Sequence, residues 1–418
     1  MTLLKNEIDL RTLPDLYTHT DGTPVTPETW ERRRAELRTV LSELEYGYAP
    51  GGAITNLLDD PSVVTVRQTR TPDTNMCAGK VIGEWFDVCF PTPMGEFSFP
   101  VGLFRPKYPA GRPSKRPQNN DRVPLVIHIN FRPLVPDRLF PLEEITDQGY
   151  AAIQVYYEDI TSDNGDYTNG LAGHYPESGT EEANRTPTAW GKIRMWAYAL
   201  SRLMDVMQRR NDIDTDKIFV AGHSRLGKTA LVTAAFDDRF AGAVSNDSGC
   251  SGAAITRDKI GERISHITAN FPYWFCPNYR QYVNAEYQML FDQHFLTALI
   301  APRSLCIGSA WEDSWADPAR EFMNAALIAQ LNQFLDTGVI TDFADMTQDN
   351  GLPLDRYPNA DEIFRLGGGR VHYHCRPGTH YFSREDWNRY LAYFEHRFYH
   401  ETLLSKQQTR ETHERKAL

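Results

Sequence analysis

The stretch Lys217–Phe236, which reads DKIFVAGHSRLGKTALVTAAF from Asp216, constrains the fold more than any other part of the chain. Ile218-Phe219-Val220-Ala221 is a short apolar run with the composition of a buried strand. Thr229–Phe236 is rich in small residues and reads as a packed helix. Only Gly222-His223-Ser224-Arg225-Leu226-Gly227-Lys228 lies between them. A strand that turns at once into a helix, with a serine at the corner, is the geometry of a nucleophile elbow. The strained corner pushes the hydroxyl outward, and small neighbours such as Gly222 let strand and helix approach closely. The usual pattern is G-x-S-x-G, but here Leu226 stands two positions after the serine and the glycine follows at Gly227. The bland alternative is an ordinary strand-to-helix turn with Ser224 as an N-cap.

The rest of the chain supplies a setting for that corner. Residues 1–60 read as an N-terminal wrap, with Thr26-Pro27 starting a helix from Trp30 to about Leu44. Val63–Arg67 reads as a strand, and residues 80–105 as an antiparallel hairpin turning at Pro91–Gly95. Residues 106–122 read as an exposed loop. Beyond them strands alternate with helices. Strands are expected at Val123–Ile129, Ala151–Tyr156, Ile218–Ala221, Ala241–Ser245, Ser304–Ser309 and Val371–His374. Long helices are expected at Thr186–Arg209, Pro318–Leu335 and Arg384–Tyr399. An antiparallel start followed by such alternation is the order of an α/β-hydrolase, a three-layer αβα sandwich around a mostly parallel sheet. One domain is expected over residues 1–418, with irregular insertions at 250–300 and 338–370 as walls of a pocket.

A serine hydroxyl needs a base, and the base needs an acid to orient it. In this fold the chain order is serine, acid, histidine. Of twelve histidines, His380 alone sits in a turn-rich loop just past the last strand, Arg376-Pro377-Gly378-Thr379-His380. His396, His400 and His413 read as surface, and His372 and His374 as strand residues facing the core or a helix. Two carboxylates compete for the acid. Asp313 follows strand Ser304–Ser309, the usual position, and Asp247 follows the strand before it. Asp247 also has the simpler reading of an Asx-turn. Asp317, before Pro318, is expected to cap the next helix. A rival reading gathers His372, His374, Cys375 and His380 as a metal cluster, since two histidines on alternate strand positions can bind zinc.

With these residues in place, the chain resembles the glucuronoyl esterases, carbohydrate esterase family 15. The resemblance rests on Gly222–Lys228, Asp247-Ser248-Gly249, Gly261-Glu262-Arg263 before Phe271–Phe275, Asp292-Gln293-His294, Ala301-Pro302-Arg303, Trp315–Pro318 and the His380 loop. It implies cleavage of esters between 4-O-methyl-glucuronic acid on xylan and alcohols of lignin. By position, Ser224 matches the nucleophile and His380 the base. Asp247 falls where fungal members carry their acid, and Asp313 where several bacterial members carry theirs. Arg225 matches an arginine that helps the oxyanion hole, while Lys228, Glu262 and Trp315 match contacts to the uronate sugar. Fungal members carry a bridged cysteine before the serine; His223 stands here, so that bridge is absent.

Physical chemistry supports two of these roles. The backbone N–H of Arg225, at the start of the elbow helix, points toward a developing oxyanion. Lys228 is one helical turn past Ser224 and faces the same mouth. The expectation is therefore a serine esterase for glucuronate esters, working as a monomer without metal or organic cofactor. The same triad would serve an acetylxylan esterase, and a catalytically silent carbohydrate-binding relative is a third reading.

Composition narrows the partners. A net charge of −11 argues against nucleic acid and anionic membranes. Abundant Trp and Tyr suit a sugar-binding face or an ordinary core. Six cysteines without paired spacing make neither a zinc finger nor a disulfide scaffold. The N-terminus has early acids and no apolar h-region, so the chain as written is expected in the cytoplasm, or outside the cell had a leader been removed.

Overall fold

The computed structural model describes residues 4–400 except 108–121, 177, 178, 180, 182, 183, 349, 350 and 352. The exposed loop expected at 106–122 therefore lies mostly outside the described residues, as does His413. Among the described residues ten strands form one sheet, in the order Thr65–Asn75 (β1), Val81–Thr92 (β2), Gly95–Pro106 (β3), Ala151–Tyr156 (β5), Val123–Asn130 (β4), Ile213–His223 (β6), Gly242–Asn246 (β7), Ser304–Ala310 (β8), Val371–Arg376 (β10) and Ile363–Leu366 (β9). Strands β1 (Thr65–Asn75), β2 (Val81–Thr92) and β3 (Gly95–Pro106) form an antiparallel meander. Strand β5 (Ala151–Tyr156) pairs antiparallel with β3 and parallel with β4 (Val123–Asn130). From β4 onward β6 (Ile213–His223), β7 (Gly242–Asn246), β8 (Ser304–Ala310) and β10 (Val371–Arg376) are parallel. With flanking helices this is the α/β-hydrolase fold. β9 (Ile363–Leu366) closes the edge antiparallel to β10. Residues 338–370, expected as irregular, thus include a short edge strand that single-sequence patterning does not reveal.

The central strands are buried on both faces, which is why they read as continuous apolar runs rather than alternating ones. Alternate residues then enter different cores. Val126, Ala152, Phe219, Val244 and Cys306 pack with Trp387, Tyr390 and Phe394 of helix Arg384–Glu395. Ile127, Ile153, Val220, Ala243 and Leu305 join the core on the other face, with helix Lys192–Met207 and the elbow helix Arg225–Phe236. The N-terminal wrap is held by charge as well as packing. Arg38 Nη2 lies 2.7 Å from both carboxylate oxygens of Asp238, just past the elbow helix, and Arg34 bonds the same carboxylate. All six cysteines are free thiols. Among the described residues no helix is long and apolar enough to cross a membrane.

Register decides where the chemistry sits. His223 pairs with Asn246, Asn246 with Gly308, and Ala310 with Arg376. The parallel strands therefore end level with one another, and the residues just beyond them share one rim of the sheet. In open α/β sheets that carboxyl-end rim is where ligands bind.

Candidate active site

Ser224 occupies the corner between β6 and the elbow helix at φ 56°, ψ −127°. A positive φ is costly for a residue with a side chain, so the surroundings must impose it. Two contacts do so. Ser224 N–H donates to Asn246 O at 2.9 Å, and Ser224 O accepts from Lys228 N at 3.1 Å. The turn also needs Gly222, because a Cβ there would stand 2.1 Å from Leu226 O. Ser224 makes no side-chain N-cap bond, which removes the ordinary capping reading.

The imidazole of His380 stands beside this corner. Its ring centroid lies 4.5 Å from that of His223, the residue immediately before the serine. His380 Nδ1 is 2.6 Å from Asp313 Oδ2. Burial pushes the Asp313 carboxyl up, but the hydrogen bond and charge of His380, with the Ala316 N–H, hold it below the usual carboxylate range. An ionised carboxylate only accepts, so Nδ1 carries the hydrogen and Nε2 is left for proton transfer.

Asp247 lies within the same group. One ligand-type atom each from Asp247, Asp313 and His380 falls within 4.8 Å of the others. Asp247 is buried at φ 45°, and neither carboxylate oxygen has a hydrogen-bond partner, so it forms no Asx-turn. Arg376 Nη2 is 3.5 Å from its Oδ2. Burial, with Glu321, Asp386 and Asp313 nearby, pushes this carboxyl well above the usual range despite Arg376. Glu321 was not singled out in the sequence. It is buried in the first turn of helix Pro318–Thr337, where its oxygens accept from Gly249 N–H (2.9 Å) and Ser309 Oγ (2.5 Å). Burial raises it to about 7. Asp317 caps that helix as expected, accepting from Arg320 N–H, and also holds Ile260 N–H at 2.9 Å.

The rival metal cluster does not assemble. His372 Nε2 faces His374 Nδ1 at 3.0 Å, and His374 Nε2 faces Asp386 at 2.8 Å, all buried against the C-terminal helix. Among the described residues the only His, Cys, Asp and Glu group with ligand spacing is Asp247, Asp313 and His380. His223, the residue before the serine, is buried with Nδ1 2.8 Å from Asn246 Oδ1. Burial and the neighbouring His380 lower it to about 3, so it is a neutral support under the imidazole.

The other expected residues line the adjoining rim. Arg225 is partly exposed, and its Nη1 bonds the buried carboxylate of Asp163. Its guanidinium lies 4.7 Å from the Trp274 ring and 5.1 Å from the Phe271 ring. Lys228 is buried: its Nζ donates to Ser248 O at 2.5 Å and lies 3.8 Å from Glu262 Oε2. Glu262 N–H donates to Trp315 O at 3.1 Å, so these two residues are backbone neighbours. Gly261 makes that approach possible, since at φ 68° a Cβ would meet Ser314 O at 2.4 Å and Trp315 Cα at 2.6 Å. The Trp315 side chain is half exposed, its ring 5.4 Å from that of His266. Two other shared motifs are structural. Asp292 caps helix Gln293–Ala298 and accepts from Thr256 N–H, while Arg303 bonds carbonyls of Asp237, Phe240 and Ala234.

Comparison with known proteins identifies the family. Residues 112–332, just over half the chain, match the family model described as "Glucuronyl esterase, fungi". The chain belongs to the glucuronoyl esterase family, carbohydrate esterase family 15. It is 37% identical over 255 residues to carbohydrate esterase MZ0003 of an unknown prokaryotic organism, covering 61% of this chain and 55% of that protein. The chain thus spans about half the length of that relative. It is 28% identical over 335 residues to 4-O-methyl-glucuronoyl methylesterase 1 of Wolfiporia cocos, covering 75% and 70%. Among solved structures, the glucuronoyl esterase from Solibacter usitatus superposes with a TM-score of 0.75 at 27% identity, covering 93% of this chain and 98% of that one. All three of these relatives are named as esterases.

Proposed function

We propose that this chain hydrolyses esters of (4-O-methyl-)glucuronic acid by an acyl-enzyme mechanism. The observation that carries the reading is the strained Ser224 corner beside an imidazole whose Nδ1 is held by an ionised Asp313. Ser224 Oγ attacks the uronate carbonyl while His380 Nε2 takes its proton. The carbonyl oxygen becomes an oxyanion beside the first N–H groups of the elbow helix, which lack partners within the helix, and beside the Arg225 guanidinium. His380 returns the proton to the leaving alcohol as the C–O bond breaks, and the acyl group stays on Ser224. Water then attacks, giving a proton to His380, which passes it to Ser224 Oγ as the acyl C–O bond breaks and the glucuronic acid leaves. Lys228, Glu262 and Trp315 are the sugar contacts in this reading.

The names of the relatives support the substrate class, and the family's role extends it to ester links between glucuronoxylan and lignin. The test is a panel of methyl and benzyl glucuronate esters against acetylated xylan, with Ser224→Ala as control. Turnover of the glucuronate esters is expected, with a loss of about 10⁴-fold or more in the variant. Dominant acetate release would point instead to an acetylxylan esterase.

A further inference from the structure

We propose that Asp163, in the loop after β5, is the positioning residue that sets the guanidinium of Arg225 for catalysis. The inference rests on the esterase reading above and names a residue that reading lacks. Asp163 is far from every motif in the sequence, yet its carboxylate is almost wholly buried, 5% exposed, against the wall of the site.

Every contact it makes converges on that wall. Oδ2 accepts from Arg225 Nη1 and from Tyr157 Oη at 3.1 Å. Oδ1 accepts from Trp274 Nε1 at 2.7 Å, and the backbone carbonyl accepts from Tyr273 Oη at 3.0 Å. Phe271 stacks flat on Trp274, with centroids 4.0 Å apart and planes 3° apart. The guanidinium therefore meets one carboxylate and an aromatic surface that this same carboxylate anchors. A long arginine side chain has much rotational freedom to lose, and an ion pair alone restrains it weakly at a surface. Here both the charge partner and the aromatic surface come from one buried point. With Nη1 committed to Asp163, the remaining N–H groups of the rigid fork have a defined direction; Nε is itself buried with no hydrogen-bond partner.

Asp163 touches none of the reacting atoms, so its effect must pass through Arg225. The test is a double-mutant cycle on a benzyl glucuronate with Asp163→Asn, Arg225→Met and the pair, each assayed below its own thermal midpoint. Asp163→Asn is expected to lower kcat by about 10–100-fold with KM changed less than about threefold, because an oxyanion contact matters most in the transition state. In the Arg225→Met background the same change is expected to cost less than about twofold, since coupled residues are not additive. Asp163→Glu, which keeps the charge, is expected to recover part of kcat and serves as the second variant if the asparagine form folds poorly. Equal losses in both backgrounds, or an undiminished kcat in Asp163→Asn, would overturn the proposal. A wild type that turns over no glucuronate ester, or a Ser224→Ala variant as active as wild type, would instead sink the esterase reading, and this inference with it.

Discussion

The turn after β7 and the turn after β8 each bring one aspartate to the same imidazole, and their surroundings push the two carboxyls in opposite directions. Asp313 has a hydrogen-bond donor on each oxygen, His380 on Oδ2 and the Ala316 N–H on Oδ1, and is held low. Asp247 is the more deeply buried, has no hydrogen-bond donor on either oxygen and three carboxyl neighbours, and is pushed high. Burial acts in the same direction on both. What separates them is the depth of burial, the neighbouring carboxyls and the supply of donors, which stabilises the charged form in one loop and is missing in the other. Nearness to the base thus does not by itself make a carboxylate its partner.

The comparison breaks most directly by exchanging charge for amide. Asp313→Asn is expected to lower kcat on a glucuronate ester by about 10³–10⁴-fold, because the amide no longer selects the Nδ1–H form of His380. Asp247→Asn changes a carboxyl that holds no hydrogen bond to His380, and is expected to cost about tenfold or less, about 1.4 kcal/mol in barrier. Steady-state kinetics of the two variants side by side decide the order, and a larger loss in Asp247→Asn would invert the assignment.

Glu321 sharpens the same contrast through stability. Its carboxyl is raised from 4.5 to about 7 by burial, so the folded state binds this proton more tightly than the unfolded chain. Its stabilising contribution is full below the unfolded value and is lost as pH rises through the folded one. Denaturant unfolding of the wild type is expected to lose roughly 1–3 kcal/mol from this group between pH 4.5 and 7. Glu321→Gln, which preserves the acceptor for Gly249 N–H, is expected to lack that component. An identical pH profile for wild type and variant would show that Glu321 stays ionised.

Much of this site is legible in the chain because it is local. The strand–turn–helix around Ser224, the turn-rich loop around His380 and the acids placed just past β7 and β8 are each contained in a few consecutive residues. The central strands were legible too, since doubly buried strands announce themselves as apolar runs, although β6 begins at Ile213 rather than Ile218 and the exposed β1 runs to Asn75 rather than Arg67. Asp163 and Glu321 were not. Asp163 sits in a polar loop like many others, and Glu321 resembles any acid in a first helical turn. Lys228 was placed at the mouth by helical spacing, but its burial beneath Ser248 follows from a turn twenty residues further along the chain. β9 was missed because four residues at a sheet edge carry too little pattern.

The amino-acid sequence by itself determined the elbow, the order of serine, acid and histidine, and the alternation that builds a parallel sheet, because short-range sterics and apolar periodicity act between near neighbours. Only the tertiary structure decided which aspartate bonds His380, and what holds Arg225. Those outcomes depend on desolvation and on donors delivered from loops far apart in sequence. The residues that set the electrostatics of this site meet only where the parallel strands end level on one rim.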